Sequence, residues 1–134
     1  MTSPKEHRSS HHHSPSSATP DVSYGEAVRA ELRDPAKELR RAIPDVYEGF
    51  KALSSAALTD GVLERKTKEL IALALSVGAQ CDGCISSHAR SVARAGASEQ
   101  EVAEALGVCI LMMGGPGTVY APRAFAAFRE YVAT

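Results

Sequence analysis

The chain has 134 residues, and its 15 basic and 16 acidic side chains give a formal net charge of −1. Both signs are interspersed, so the composition indicates neither a nucleic-acid partner nor an anionic membrane. The length suits one domain, and no window predicts a membrane-spanning helix or the apolar core of a secretory signal. Three cysteines without a signal peptide favour a reducing compartment, and we therefore expect a cytoplasmic protein.

Residues 1–20 are predicted to be a disordered tail, separate from a single helical domain at 21–134. The tail is rich in Ser, His and Pro, and it has no apolar side chain between its first residue and position 18. Such a segment buries too little surface to offset its ordering entropy. The three histidines at 11–13 could bind a metal, but a solvated tract or an expression-tag remnant is the preferred interpretation.

Helical periodicity and capping signals begin at Tyr24. An amphipathic stretch runs from Tyr24 to Arg33, and Asp34-Pro35 predicts a new helix with an aspartate cap and a proline at its first position. Pro44 is predicted to open the next helix. Its apolar stripe has helical spacing and comprises Val46, Phe50, Leu53 and Ala57.

A helix from Val62 to Ala79 is predicted next. After Glu69 it is apolar on nearly every side, which is typical of a buried element, and Gly78 loosens its end. The following helix carries the second cysteine and stops at Gly96.

Ser98 and Glu101 form a capping box that predicts the start of another helix. We interpret its apolar row as core, including Val102, Leu106, Cys109, Met112 and Met113. The last helix starts at Pro116 or at Pro122, and in the first case Pro122 should kink it. No segment alternates with a period of two residues, so the fold class is predicted to be all-α, with six or seven helices in a compact bundle.

The chemistry-bearing stretch is Cys81-Asp82-Gly83-Cys84, followed by His88. Two thiols at the start of a helix can close a small disulfide loop, and the unpaired N–H groups there favour a thiolate. His88 lies one turn after Cys84 on the same helical face, which is the arrangement an activated thiol needs. Glu69 borders a buried stripe and needs a partner, for which His88 is the candidate.

Other interpretations of these residues are open. Glu69 could be a solvated ion-pair partner of Arg65 or Lys66. The two cysteines could be a zinc half-site, which would need two further ligands, and Glu69 and His88 could supply them. Cys109 lies within an apolar row and is interpreted as a core thiol.

These residues resemble the alkyl hydroperoxidase D-like branch of the carboxymuconolactone decarboxylase family. The resemblance covers roughly residues 53–128, and both the glutamate-to-cysteine and the cysteine-to-histidine intervals match. The features that carry it are Glu69, Cys81, Cys84, His88, Gly96, Ser98, Glu101 and Gly114-Gly115. It implies an all-helical fold, assembled as a homo-oligomer of three or six subunits.

The resemblance also implies a thiol peroxidase with no metal or organic cofactor. Glu69 and His88 would form the proton relay, Cys84 would meet the peroxide, and Cys81 would be its disulfide partner. The expected partners are hydrogen peroxide or an organic hydroperoxide, and an external dithiol reductant. The decarboxylase members use no Cys-x-x-Cys pair, which argues against lactone decarboxylation.

One departure from the family pattern concerns the residues between the cysteines. Some members carry a histidine or an aromatic residue there, where this chain has Asp82 and Gly83. A relay member is missing, and the charge of Asp82 opposes thiolate formation. Two alternatives therefore stay open. One is a thiol–disulfide exchanger or redox sensor with little peroxidase activity, and the other is a non-catalytic or zinc-bound helical assembly module.

Overall fold

The computed structural model describes residues 21–134, and the predicted tail at 1–20 lies outside them. Within 21–134 the chain forms six helices and no strand. They are α1 (Glu26–Ala42), α2 (Pro44–Leu58), α3 (Arg65–Gly78), α4 (Asp82–Arg94), α5 (Glu99–Met113) and α6 (Gly115–Val132). The prediction of an all-α fold is confirmed, with the lower of the two helix numbers.

The core lies where α3, α4, α5 and α6 pack together. α6 crosses both α4 and α5, whereas α1 lies on α4, and α2 contacts α1 and α3. Small side chains allow the helices to approach closely, and a Cβ added at Gly117 would lie 2.9 Å from Cα of Ile110. The larger apolar side chains that are fully buried are Leu73, Val77, Ile85, Val92, Val102 and Phe128.

One proline signal was interpreted wrongly, and the structure decides between the two starts that were left open for the last helix. Asp34-Pro35 does not start a helix, because α1 continues through Pro35. The proline leaves the carbonyl of Glu31 without its helical donor, but Glu31 is exposed and water can take that role. α6 begins at Gly115, close to the earlier of the two predicted starts, and it contains Pro122.

The start of α1 is tied to α6 by Glu130. Its carboxylate accepts hydrogen bonds from the Ser23 hydroxyl at 2.7 Å and from the backbone N–H groups of residues 24–26 at 2.9 to 3.1 Å. Burial alone would raise the pKa of Glu130, but these hydrogen bonds outweigh it and hold the pKa below its usual range. The Ser86 hydroxyl of α4 adds a bond to the Gly25 carbonyl at 2.7 Å.

Several apolar side chains expected in the core are exposed in the single chain. α3 is not buried all round, since Leu75 is 68% exposed, although Leu73 and Val77 are fully buried. Met112 is 77% exposed, so its assignment to the core was wrong for one chain. The apolar stripe of α2 is also exposed, since α2 makes few contacts and these are mainly with α1 and α3. The exposed side chains are Val46, Phe50 and Leu53.

None of the helices in the described part of the chain combines the length and the apolar character that a membrane crossing requires.

Candidate active site

The first cysteine is placed by the turn that ends α3. The N–H of Cys81 donates to the carbonyl of Ser76 at 3.1 Å, and the N–H of Gln80 donates to that of Val77 at 3.0 Å. This pair of bonds is a Schellman motif, with Gln80 in the left-handed region at φ 54°. Glycine is the usual residue at such a position, so with Gln80 there the only local signal for this turn was Gly78.

The second cysteine lies in the first turn of α4. Cys81 is the N-cap residue, and its sulfur accepts a hydrogen bond from the N–H of Cys84 at 3.2 Å. The two sulfurs are joined in a disulfide, with Cα atoms 5.2 Å apart. Cys84 is exposed and Cys81 is half-buried. The N–H groups of this turn are placed where they would stabilise a thiolate after reduction.

The structure brings Glu69 and His88 together. Glu69 is 1% exposed on α3, and its Oε2 lies 2.9 Å from Nδ1 of His88 on α4. In the neutral imidazole, Nδ1–H donates to the carboxylate, and Nε2 is then the nitrogen that can accept a proton. His88 stands one helical turn after Cys84 on α4, and Glu69 reaches it from α3, so the dithiol and the carboxylate–imidazole pair are close in sequence along α4 through His88.

The second oxygen of Glu69 has a different environment. Oε1 is buried and has no hydrogen-bond partner, and it lies 3.5 Å from Nη2 of Arg65. The alternative of a solvated ion pair is therefore wrong for Glu69, which is buried although it contacts Arg65, and Lys66 pairs with Glu101 at 2.8 Å instead. Glu69 and His88 line an open cleft of about 340 Å³ between α2, α3 and α4. The other lining residues are mostly hydroxyl-bearing: Ser54, Ser55, Leu58, Thr59, Arg65, Ser87 and Ser91.

Gly83 is the second residue between the cysteines, and α1 occupies the space beside it. A Cβ added at Gly83 would lie 3.0 Å from Cδ1 of Leu32. A side chain as large as histidine would therefore have to displace Leu32. The absence of the family's histidine or aromatic residue here is consistent with the close approach of α1.

Arg123, which no sequence motif indicated, lies beside Asp82, the first residue between the two cysteines. Nη1 of Arg123, on α6, lies 3.4 Å from both carboxylate oxygens of Asp82. The same guanidinium is 4.7 Å from the ring centroid of Tyr120 and 5.4 Å from that of Tyr24. The separation of 41 residues leaves no local pattern that would indicate the pair, although Tyr120 and Arg123 have the spacing of helical neighbours.

The third cysteine is a core thiol, as predicted. Cys109 is 6% exposed, and its sulfur donates weakly to the carbonyls of Ala74 at 3.6 Å and Ala105 at 3.5 Å. Burial raises the pKa of the Cys109 thiol.

Within residues 21–134, no group of three or more His, Cys, Asp or Glu side chains is placed to hold a metal ion. The zinc set of Glu69, Cys81, Cys84 and His88 is therefore not assembled in this structure. The histidines at 11–13 lie outside the described residues.

The fold and the site place this chain in the class of helical-bundle proteins that carry a cysteine pair at the start of one helix and a buried glutamate–histidine pair beside it. Residues 44–130, from α2 into α6, match the carboxymuconolactone decarboxylase family, and the chain belongs to that family. The family includes both decarboxylases and peroxidases, so membership alone leaves the reaction open.

Relatives with known sequences or structures support this assignment. An uncharacterized protein of Cupriavidus necator is 41% identical over 90 residues, which is 67% of this chain and 80% of the relative. Uncharacterized protein 4 in the cox locus of Paracoccus denitrificans is 36% identical over 93 residues, which is 69% of this chain and 84% of the relative. An apo crystal structure of a carboxymuconolactone decarboxylase family protein from Legionella pneumophila superposes with a TM-score of 0.77 at 38% identity, covering 80% of this chain and 96% of that one.

Proposed function

We propose that this protein is a thiol-dependent peroxidase of the alkyl hydroperoxidase D-like branch, acting in the cytoplasm on hydrogen peroxide or organic hydroperoxides. The supporting observation is the combination of two elements on α4. A disulfide-competent pair, Cys81 and Cys84, opens the helix, and His88 one turn later is held by the buried carboxylate of Glu69. A nucleophile, a base and a group that orients the base are the parts that covalent thiol catalysis needs.

The proposed reaction begins from the reduced dithiol. His88 accepts the proton of the Cys84 thiol through Nε2, while Glu69 stabilises the imidazolium that forms. The thiolate attacks one peroxide oxygen, and the S–O bond forms as the O–O bond breaks. Cys84 becomes a sulfenic acid, and the other oxygen leaves as an alcohol or as water after receiving the proton from His88.

Cys81 then resolves the sulfenic acid. Its thiol forms the S–S bond with Cys84 and releases water, which gives the disulfide that the structure contains. An external dithiol returns both cysteines to thiols by exchange and is itself oxidised to a disulfide. Cys84 is the exposed member of the pair, so an incoming thiolate has access to its sulfur.

A second candidate function is thiol–disulfide exchange with little peroxide chemistry. It is favoured by the residues between the cysteines, because Asp82 is charged and Gly83 supplies no relay group. Lactone decarboxylation is not proposed, since the decarboxylase members of the family use no such cysteine pair.

The deciding experiment is intact-mass spectrometry of the reduced protein after one equivalent of peroxide. We expect a loss of two hydrogens per chain in the wild type and no such loss in Cys84→Ser. Continuous peroxide consumption with dithiothreitol then measures turnover. If the protein reduces a disulfide substrate but leaves peroxide unconsumed, the exchanger is correct. If neither reaction occurs, the assembly module is correct.

We further propose that the protein is a homo-oligomer of three or six subunits. Supporting this, large apolar side chains on three helices are exposed in one chain, and patches of this kind generally mark a partner surface. They are Val46, Phe50, Leu53, Ile71, Leu75, Val108, Leu111 and Met112. Sedimentation equilibrium at micromolar concentration should find no monomer, and Leu75→Glu should dissociate the assembly. An active wild-type monomer would contradict the proposal.

A further inference from the structure

We propose that Arg123 is a positioning residue for the dithiol, which neutralises Asp82 so that the Cys84 thiolate can form near neutral pH. The inference rests on the proposed function, because it concerns the thiol assigned to meet the peroxide. It assigns a role in that reaction to the Asp82–Arg123 pair, which links the first residue of α4 to α6.

The reason for such a residue lies in the position of Asp82. It is the first residue of α4, between the N-cap Cys81 and Cys84 in the third position. A carboxylate there interacts well with the helix N-terminus, but it competes for the same N–H groups and repels a thiolate two residues away. A unit charge about 8 Å from a thiol shifts the pH at which half of that thiol is ionised, its midpoint, by roughly 0.4 to 1.5 pH units. The smaller shift holds for a dielectric constant of about 80 and the larger for about 20.

Arg123 is placed to cancel that charge. Its Nη1 lies 3.4 Å from both Oδ1 and Oδ2 of Asp82, so the guanidinium faces the whole carboxylate. The side chain of Arg123 is 32% exposed and that of Asp82 is 44% exposed. The pair is partly shielded from water, which reduces the screening of each charge by solvent.

The guanidinium is also held in place independently of Asp82. It stacks on Tyr120 of its own helix and on Tyr24, which precedes α1. Tyr24 is fixed in turn, since its backbone N–H donates to Glu130 of α6 at 2.9 Å. Two aromatic faces restrict the arginine before it meets the carboxylate, so less conformational entropy is lost on pairing.

Other charged groups lie on the helices packed against the start of α4, including Glu26, Arg29 and Arg33 of α1, which pair with one another. α3 contributes Glu69 with its neighbour Arg65, and α4 contributes His88, which is bonded to Glu69. α1 approaches through an apolar side chain, Leu32 beside Gly83. Asp82 and Arg123 are paired with each other, whereas Glu69 is paired with His88 and Arg65.

The test measures the acidity of Cys84 directly. The reduced, full-length protein is alkylated with iodoacetamide from pH 5 to pH 10, and modification of each cysteine is followed by peptide mass spectrometry. We expect Arg123→Gln to raise the Cys84 midpoint by about 0.4 to 1.5 pH units, because Asp82 is then unopposed. Arg123→Lys keeps the charge and should stay closer to wild type.

Removal of both charges distinguishes electrostatics from packing. The double variant Asp82→Asn with Arg123→Gln should return the midpoint toward the wild-type value, and Asp82→Asn alone should lower it. Arg129→Gln is the matched control. It lies on the same helix, stacks on Phe125 and pairs with Glu99 at 3.0 Å, and it should leave Cys84 unchanged. An unchanged midpoint in Arg123→Gln, or no return in the double variant, would overturn the inference.

This outcome is separable from that of the proposed function. Alkylation consumes no peroxide, so a midpoint that follows the charges would support the role of Arg123 even if peroxide consumption were absent. Conversely, an active peroxidase whose Cys84 midpoint ignores Arg123 would keep the proposed function and exclude this role.

Discussion

The hydrogen bond between Glu69 and His88 leads to a specific prediction about how the peroxide reaction depends on pH. Glu69→Gln keeps the side-chain shape but removes the charge that stabilises a protonated His88. His88→Ala removes the base itself. In both variants solvent must deprotonate Cys84, so the reaction should be slow at neutral pH and recover as the pH rises.

The size of the effect follows from the thiolate population. A cysteine of ordinary pKa, about 8.5, is roughly 3% thiolate at pH 7, so full deprotonation by a relay is worth about 30-fold. A positioned histidine that also protonates the leaving oxygen contributes more, within the usual range of about 10² to 10⁴ for acid–base catalysis. We expect His88→Ala to lose at least about 30-fold at pH 7, and we expect the loss to shrink about tenfold per pH unit toward pH 8.5.

The assay is single-turnover reaction of the reduced protein with peroxide between pH 6 and pH 9. Because relay members act as a unit, the double variant should be about as slow as His88→Ala, not the product of two losses. Glu99→Gln is the matched control, since Glu99 is an exposed carboxylate paired with Arg129. If Glu69→Gln follows the wild-type curve throughout, the carboxylate is only a structural partner of Arg65 and the relay is wrong.

Other predictions concern the cysteines and the start of α1. Cys84→Ser should abolish peroxide reduction, whereas Cys81→Ser should complete one turnover and stall; a sulfenic acid trapped on position 81 in Cys84→Ser would show that the order is reversed. Burial and a raised pKa should make Cys109 react with iodoacetamide at least about tenfold more slowly than Cys84 in the folded, reduced protein, and equal rates would contradict its core position. Glu130→Gln should lower the free energy of unfolding by about 1 to 2 kcal/mol at pH 7 in urea titrations. Because the folded-state pKa of Glu130 is lowered, its contribution is present above the unfolded value of 4.5 and is lost at more acidic pH, so the wild type and the variant should converge toward pH 3.

Local signals predicted the local structure well. The capping box at Ser98 and Glu101 forms both of its hydrogen bonds, because the donors and acceptors are three residues apart and need no other element. Asp34-Pro35 carried an equally local signal, yet the helix runs through it. Proline removes one helical hydrogen bond, and on the exposed α1 water can bond the freed carbonyl of Glu31, so the rest of the helix persists.

The contact between Glu69 and His88 was predictable because the positions of both residues follow from periodicity. Glu69 borders the apolar face of α3, and His88 is in helical register with Cys84, so packing α3 against α4 brings them together. The exposure of Leu75 and Met112 was not predictable from the same patterns. Apolar periodicity indicates that a face is covered, but it does not distinguish cover by the same chain from cover by another.

The surroundings of the dithiol depend on elements that are distant in sequence. Taken alone, Cys81-Asp82-Gly83-Cys84 lacks a relay group and carries a charge that opposes the thiolate. In the folded chain, Leu32 of α1 occupies the space beside Gly83, and Arg123 of α6 lies against Asp82. Gly83 thus contacts a residue about 50 positions before the motif, and the charge of Asp82 is opposed by a residue about 40 positions after it. Their effect on cysteine chemistry therefore has to be judged from the packed helices α1, α4 and α6 together.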